Sequence, residues 1–297
     1  MKHITRLLLL GSALIFAAAT PLHSQDNSSP NAEMTEEDMA QMKEYMEFIN
    51  SISWVTEGKG QLGTRAEIHV PEGYRFTGSA GTIKLMEFYG NLTNGQELGY
   101  LSPMEMDWFA VFEFEDIGYV KDDDKDKLDA DEILASLREG QKQANEQLSS
   151  RGMPTLNVIG WHTPPFYNTS TKNLEWAIKL STSDGGEILN YKTKILGRRG
   201  AMDVVLVCSE EQLATVVPEY QKLLTGFSYN ESEKYSSFTK GDKIAEYGLV
   251  GLIAGGGLLV AAKSGLLAKL WKPIAIGLVA IGAFFKRIFK GKNSDSI

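Results

Sequence analysis

The chain has 297 residues, of which 43% are hydrophobic, and its 38 acidic and 30 basic side chains give it a net charge of −8. This acidity excludes a nucleic-acid-binding role, since phosphate backbones repel a negatively charged protein. Cys208 is the single cysteine, so no intramolecular disulfide can form and the stability must come from a packed core.

The first 24 residues have the pattern of a secretory signal peptide. Lys2 and Arg6 precede an apolar stretch that ends at residue 19, and the small residues Ala17 and Ala19 suit a signal-peptidase site. No cysteine follows that could accept a lipid anchor. We therefore expect the rest of the chain to be exported.

Residues 25–58 are predicted to contain a polar linker and then an amphipathic helix rich in methionine. Thr35 is a suitable N-cap, and Met39, Met42, Met46, Ile49 and Ile52 follow it at helical spacing. Methionine is flexible and fills irregular gaps, so this stripe is predicted to be a packing face. The alternative is a metal site, because thioether sulfur can bind copper in an exported protein.

Residues 59–243 are predicted to form one exported α+β domain, in which strands at 64–70 and 108–115 flank a helix at 79–89. In the second strand the side chains of Glu113 and Glu115 share one face. Paired carboxylates can act as acid and base, but these two stand near the strand's end and are expected to be solvated.

The densest charge in the chain is at residues 121–132. Its aspartates match the first three ligand positions of an EF-hand loop, but Lys127 stands where a glycine is needed and Ile133 where a glutamate is needed. No calcium site is therefore expected. Instead, Asp129 is predicted to cap a helix at 130–149.

The strongest candidate for a binding surface follows a strand predicted at 156–161. Prolines and aromatic residues surround His162 in a segment that begins with Trp161 and ends with Tyr167. Rigid prolines that present aromatic rings suit a ligand-contacting loop, and a packed loop at the exit of a strand is the alternative.

A three-stranded antiparallel meander is predicted at 172–181, 188–196 and 201–208, from the alternation of apolar residues and the turns between them. Arg198 and Arg199 lie in its second turn and are further candidate binding residues, although turns commonly expose bases. A helix that starts at Ser209 and contains Pro218 should close the domain, either kinked or as two short helices.

The C-terminal part of the chain is apolar and basic. Residues 247–262 carry no charge, and a second uncharged run covers 273–285. Residues 25–243 have a net charge of −15, whereas residues 244–297 have a net charge of +5. We expect one transmembrane helix at 244–262, because a single span keeps the basic segment and tail at 263–297 in the cytoplasm.

The expected fold class is α+β, an antiparallel sheet with a C-terminal β-meander packed by helices, plus a C-terminal transmembrane anchor. The expected function is binding or envelope maintenance at the cytoplasmic membrane, with an envelope protein as partner and without a cofactor or metal. No catalytic motif is recognised in the sequence. The alternatives are an envelope hydrolase that uses carboxylates such as Glu113, Glu115 or Glu175, and a weak metal-binding protein.

Several ordered motifs resemble the bacterial membrane-anchored proteins of domain-of-unknown-function family 2167. The motifs are Pro71-Glu72-Gly73-Tyr74-Arg75-Phe76, Trp108-Phe109, Gly118-Tyr119-Val120-Lys121-Asp122-Asp123-Asp124, Gly160-Trp161, Pro164-Pro165, Tyr167, Leu174-Glu175-Trp176-Ala177, Asn190-Tyr191, Leu196-Gly197-Arg198-Arg199-Gly200, Gly241-Asp242-Lys243 and Tyr247-Gly248. The resemblance implies a bacterial origin and a main domain outside the cytoplasmic membrane. It implies no reaction. The opening motif, the meander and the closing helix also resemble the Mog1/PsbP-like α+β fold.

Overall fold

The computed structural model describes residues 36–254, except 90, 92, 151–153 and 184. The predicted signal peptide at 1–24, the polar linker after it and the basic segment at 263–297 lie outside the described residues, as does most of the predicted span at 244–262. Within the described part of the chain, no helix is long and apolar enough to cross a membrane.

The described residues form ten strands and five α-helices. The strands are β1 (Gly58–Leu62), β2 (Ala66–Val70), β3 (Tyr74–Gly78), β4 (Glu97–Pro103), β5 (Phe109–Glu115), β6 (Leu156–Asn168), β7 (Asn173–Thr182), β8 (Glu187–Leu196), β9 (Ala201–Cys208) and β10 (Phe227–Tyr229). The helices are α1 (Glu36–Ser51), α2 (Ser79–Phe88), α3 (Ala130–Ser150), α4 (Leu213–Leu224) and α5 (Leu249–Ile253).

Two antiparallel sheets build the α+β fold. The larger has seven strands in the order β3-β4-β5-β9-β8-β7-β6, and the smaller has the order β1-β2-β10. The predicted meander is confirmed as β7, β8 and β9, which pair antiparallel in sequence order. The predicted helix cap is confirmed too, since the Asp129 Oδ1 atom accepts the backbone N–H groups of Asp131 and Glu132 at 3.0 Å.

Successive side chains of a strand point to opposite faces, so the large sheet has two differently covered faces. One face, which includes Val204 and Leu206 of β9, packs against α4 and the small sheet. The other carries two apolar clusters. The first joins Val205 to α1 and α2, and the second joins Ala201 to α3 and α5. Asp203 falls between these clusters on the same face, which becomes the centre of the site described below.

Only the C-terminal end of the apolar stripe of α1 is the packing face that its spacing predicts. Met39 is 52% exposed and Met46 is 48% exposed, whereas Ile49 and Ile52 are buried. Only the last turns of α1 reach the domain, where the ring of Phe48 stacks on Phe88. Met39 and Met46 therefore remain about half exposed.

The predicted loop between Trp161 and Tyr167 is wrong, because β6 continues through these residues to Asn168. The pairing of β6 with β7 shifts register three times on the way. β6 is the last strand of the sheet, and Pro164 and Pro165 are tolerated because an edge strand needs no ladder bonds on its outer side.

The C-terminal elements depart from expectation in two ways. α4 runs through Pro218 as one helix, so the break into two helices is not observed. In addition, residues 244–248 are not helical: Ile244 forms a parallel bridge with Tyr119, and α5 begins only at Leu249. The helical part of the predicted span therefore starts five residues later than the sequence suggests.

Candidate functional site

A buried charge cluster lies on the sheet face between the two apolar clusters. It consists of Glu97 on β4, Glu113 on β5, Lys192 and Lys194 on β8, and Asp203 on β9. Strand pairing brings these residues together, since Glu113 is the register partner of both Glu97 and Asp203 and Lys194 is the partner of Asp203. Glu97, Glu113, Lys194 and Asp203 are all buried.

The two lysines neutralise part of the negative charge. The Nζ atom of Lys194 lies 3.0 Å from Asp203 Oδ2 and 2.8 Å from Glu115 Oε1, and Lys192 Nζ lies 3.6 Å from Asp203 Oδ2. Burial alone would raise the pKa of Asp203, but Lys192 and Lys194 hold it below its usual range. Conversely, burial opposes the charge of Lys194, and Asp203 and Glu115 still raise its pKa. Asp203 and Lys194 are therefore an ionised pair.

Among the described residues Glu113 has neither an ion pair nor a hydrogen bond to its carboxylate oxygens, whereas the carboxylate of Asp203 is ion-paired with Lys192 and Lys194. Burial, reinforced by the charges of Asp203 and Glu97, raises the pKa of Glu113 to about 8, although Lys192 and Lys194 act in the opposite direction. Glu113 is therefore protonated and neutral at pH 7. The prediction that it is a solvated acid at a frayed strand end is wrong, because β5 is paired on both sides, with β4 and β9, and the Glu113 side chain is fully buried.

The carboxylates proposed for an envelope hydrolase do not converge. Glu115 shares the face of Glu113 but is paired with Lys194. Glu175 lies on the opposite face, where it accepts hydrogen bonds from the Tyr191 hydroxyl at 2.6 Å and from Gln221 Nε2 at 3.1 Å. Glu113 itself is fully buried. This geometry does not present a pair of carboxylates to a substrate.

Two of the predicted binding residues on β6 face the interior. The Trp161 Nε1–H donates to the carbonyl of Ala130 at 2.9 Å, and the Tyr167 hydroxyl donates to Asp122 Oδ2 at 3.0 Å. His162 is exposed. The structure therefore packs Trp161 and Tyr167 against the same apolar cluster and leaves His162 exposed, as are Ile159 and Phe166, which the sequence analysis does not single out.

Arg198 and Arg199 are not free bases at a turn, because each is ion-paired with the chain that follows β10. Arg198 donates from Nε and Nη2 to the two carboxylate oxygens of Asp242, both at 2.8 Å. This guanidinium holds the pKa of Asp242 well below its usual range. Arg199 pairs with Glu233, whose carboxylate also lies 3.3 Å from Arg65.

These contacts belong to a longer series that we call the C-terminal clamp, which ties residues 230–250 to the domain. The backbone N–H of Tyr119 donates to the carbonyl of Lys243 at 2.8 Å, and the carbonyl of Tyr119 accepts the backbone N–H of Ala245 at 2.9 Å. The carboxylate of Asp124 then accepts the first two backbone N–H groups of α5, those of Leu249 and Val250, at 3.0 and 3.2 Å. α5 itself is buried against the domain.

The acidic run therefore has a structural role. Besides capping the helix that follows it, the run contacts β6 through Asp122 and α5 through Asp124. Asp122 contacts Tyr167 and also lies 3.1 Å from Lys172 Nζ, and these partners keep the pKa of Asp122 low although burial opposes this. Among the described residues, no group of three or more histidine, cysteine, aspartate or glutamate side chains could hold a metal ion.

Two further features bear on chemistry. Cys208 packs against the core, and burial raises the pKa of its thiol to about 11, so it is no nucleophile at neutral pH. A cavity of about 330 Å³ lies where β3 passes into α2. Its sequence signal is Gly78-Ser79-Ala80-Gly81, where a strand passes directly into a helix, and the sequence analysis does not single it out. Its lining is Ser51, Ile52, Ser53, Thr77, Gly78, Ser79, Ala80, Gly81 and Lys84.

Sequence reasoning missed most of the buried charge cluster. Asp203 does interrupt an otherwise apolar strand, and Lys192 and Lys194 take alternate positions of β8, so polar residues at inward positions were the available signal. That signal could not be read without the strand order, which places β9 between β5 and β8.

The fold and the site thus define an antiparallel α+β domain with a charged centre and a clamped C-terminal segment. The chain belongs to the family described as "Protein of unknown function (DUF2167)", whose model matches residues 55–284. This confirms the resemblance carried by the motifs. The match includes the C-terminal clamp and α5.

A weaker similarity connects the chain to a solved structure. The solution structure of cyanobacterial PsbP (CyanoP) from Synechocystis sp. PCC 6803 has 14% sequence identity to this chain and a TM-score of 0.36. The aligned region covers 56% of this chain and 86% of the CyanoP chain. The PsbP-like analogy expected from the sequence is therefore found, but a similarity at this level carries no argument about function. The comparison with curated proteins finds no match.

Proposed function

We propose that the chain is an exported domain held at the bacterial cytoplasmic membrane by the apolar residues after 254, where it binds an envelope protein and does not act as an enzyme. The observation that carries this proposal is the C-terminal clamp. A flexible tether would need no contacts with the domain, whereas here the chain is bonded to it from residue 230 to α5. Such a connection gives the domain a fixed height and orientation above the bilayer.

The buried helix α5 supports the same proposal. It contributes Leu249, Leu252 and Ile253 to an apolar cluster of the domain, and residues 255–262 then continue as an uncharged run. Residues 249–262 would form about 21 Å of helix, at about 1.5 Å for each residue. A hydrocarbon core is about 30 Å thick, so the span would continue toward residue 268 or the bilayer would meet the domain directly.

The anchoring is tested by stopping the chain after Ala254, which keeps the clamp and α5. The full chain should sediment with membranes and resist a carbonate wash, whereas the truncated chain should be released in folded form. An alkaline phosphatase fusion after Lys292 should be inactive if a single span leaves the tail in the cytoplasm. An active fusion contradicts the single span, and a truncated chain that stays in carbonate-washed membranes contradicts anchoring by the apolar segment.

The binding surface that we propose is the outer side of β6. Ile159 is 44% exposed and Phe166 is 41% exposed, and His162 lies between them in the sequence. Arg138 of α3 donates to the carbonyls of Val158 and Ile159, at 3.3 and 2.6 Å. The helix therefore covers part of the strand's hydrogen-bonding edge. We expect a partner to contact the side chains and not to extend the sheet.

Photo-crosslinking in a native host tests this surface. A crosslinker at position 166 should capture a defined envelope protein, and Phe166→Ala should reduce co-purification of that protein without a large change in melting temperature. Met104→Ala is the matched control, because Met104 is a similarly exposed apolar residue on another part of the domain. Equal loss in both variants, or normal capture by Phe166→Ala, contradicts the proposal.

A further inference from the structure

The cavity between the end of α1 and the start of α2 has a buried hydroxyl without a partner in its wall. Thr77, the last residue before the N-cap of α2, is 2% exposed and lines this cavity. Its carbonyl accepts the Thr82 hydroxyl at 3.3 Å, but within the described residues its own hydroxyl takes part in no hydrogen bond. Buried polar groups normally have a partner, so an unpaired hydroxyl in the wall of a cavity points to a ligand there.

The N-terminus of α2 supplies further donors to the same space. Residues 78–81 line the cavity, and no side chain caps the helix at Gly78. The first backbone N–H groups of a helix have no partner inside the helix and attract anions. The Thr77 hydroxyl lies beside this first turn, since a Cβ atom added to Gly81 would overlap Thr77 Oγ1. Glycine at position 81 therefore lets the hydroxyl and the start of the helix lie together.

The charge of the cavity lining favours an anion. Lys84 is exposed and has no ion pair among the described residues, and no acidic side chain belongs to the lining, although the chain has a net charge of −8. The last carbonyls of α1 would oppose an anion, but two of them are occupied. The carbonyl of Phe48 accepts the Ser51 hydroxyl at 2.7 Å, and that of Ile49 accepts the Trp54 indole N–H at 2.9 Å.

We propose that this cavity, which we call the α2 cavity, binds the phosphate group of a small molecule. A phosphate group accepts hydrogen bonds from several directions, and the lining offers backbone N–H groups, the hydroxyls of Thr77 and Ser79, and the Lys84 ammonium. The volume of about 330 Å³ is at the lower end for small-molecule sites, so a short organic substituent fits beside the phosphate. The α2 cavity shares no residue with the outer side of β6 or with the C-terminal clamp, so the proposed function does not depend on it.

Equilibrium dialysis of the full chain in neutral detergent with radiolabelled inorganic phosphate, at constant ionic strength, measures the binding. Thermal unfolding of each variant without phosphate measures its stability. Lys84→Gln and Thr77→Val each remove one donor of the α2 cavity. Lys222→Gln is the matched control, because Lys222 of α4 is also an exposed helical lysine without an ion pair among the described residues.

We expect saturable binding of one phosphate ion by the parent chain. Lys84→Gln should weaken this binding by on the order of tenfold, because a charge-assisted hydrogen bond is lost, whereas Lys222→Gln should not change it. Thr77→Val should also weaken the binding, yet its melting temperature without phosphate should stay the same or rise, because the lost hydroxyl has no partner in the protein. The proposal is wrong if phosphate does not bind saturably, if Lys222→Gln weakens binding equally, or if either Lys84→Gln or Thr77→Val binds like the parent chain.

The phosphate group can come from a lipid headgroup or from a free phosphomonoester, and competition against the labelled phosphate distinguishes the two sources. Dihexanoyl phosphatidylglycerol should displace the label at a lower concentration than glycerol phosphate if the ligand is a lipid headgroup. The order should be reversed if the ligand is a free phosphomonoester. Failure of both compounds to displace the label from the parent chain contradicts a site for phosphate groups of small molecules.

Discussion

Replacing Glu113 with glutamine should stabilise the folded chain at neutral pH. The folded chain keeps Glu113 protonated up to about pH 8, whereas the same group in the unfolded chain ionises near 4.5. At pH 7 the unfolded state therefore gains free energy by ionising, about 1.4 kcal/mol for each pH unit above 4.5, which amounts to about 3 kcal/mol. Glutamine has nearly the same shape and is neutral at every pH, so it removes this penalty.

The sign of the pH dependence follows from the raised pKa. The contribution of protonated Glu113 to stability is fully present below pH 4.5, decreases as the pH rises and is lost by about pH 8. Asp203 has a lowered pKa and Lys194 a raised one, so neither changes its charge within this window. The difference between the variant and the parent chain should therefore be small near pH 4.5 and grow steadily toward pH 8.

Thermal or denaturant unfolding of the full chain, followed by tryptophan fluorescence between pH 4.5 and 8.5, measures this difference. A gain of about 3 kcal/mol corresponds to a rise of roughly 6–12 °C in melting temperature for a domain of this size. Glu175→Gln is the control, since Glu175 accepts two hydrogen bonds and its replacement should destabilise the chain. If Glu113→Gln lowers stability by the same amount at every pH, the assignment of a buried, protonated carboxyl is refuted.

Three further outcomes follow from the structure. Arg198→Ala removes both hydrogen bonds to Asp242, so hydrogen exchange of the Tyr119 and Ala245 amides should become faster. Lys234→Ala, which removes only an exposed ion pair, should leave the exchange rate of these amides unchanged. Calorimetry with millimolar calcium should show no specific binding. Asp122→Asn should lower the melting temperature whether or not calcium is present, because the substitution removes the ion pair between Asp122 and Lys172. A saturable micromolar isotherm that Asp122→Asn abolishes would contradict this. Gly200→Ala should destabilise the chain by at least about 2 kcal/mol, because a Cβ atom there would overlap the carbonyl oxygen of Glu115, and unchanged denaturant unfolding would show that the β8–β9 turn relaxes freely.

Some elements could be predicted from the sequence because their determinants are local. The β7–β8–β9 meander has apolar alternation within each strand, and Asp129 caps α3 through bonds to residues two and three positions later. None of these predictions depends on which distant segment packs nearby.

Other predictions failed where a distant segment decides the outcome. The segment with Pro164 and Pro165 resembles a loop, but β7 supplies a partner strand along most of its length, so it remains extended as the edge of the sheet. Arg198 resembles an exposed turn residue, but Asp242 arrives 44 positions later and pairs with it. A local pattern cannot show which segment comes back to meet it.

The sequence alone determined that Glu113 and Glu115 share one strand face, that Met39, Met42 and Met46 share one helix flank, and that the chain is an acidic domain between two apolar ends. The tertiary structure alone decided which of these faces is covered. Glu113 is buried beside its register partner Asp203, whereas Met39 and Met46 of α1 are about half exposed. The physical reason is that backbone periodicity sets the direction of a side chain, whereas its burial, and with it the pKa of an acid or the exposure of a methionine, depends on packing between segments far apart in the chain.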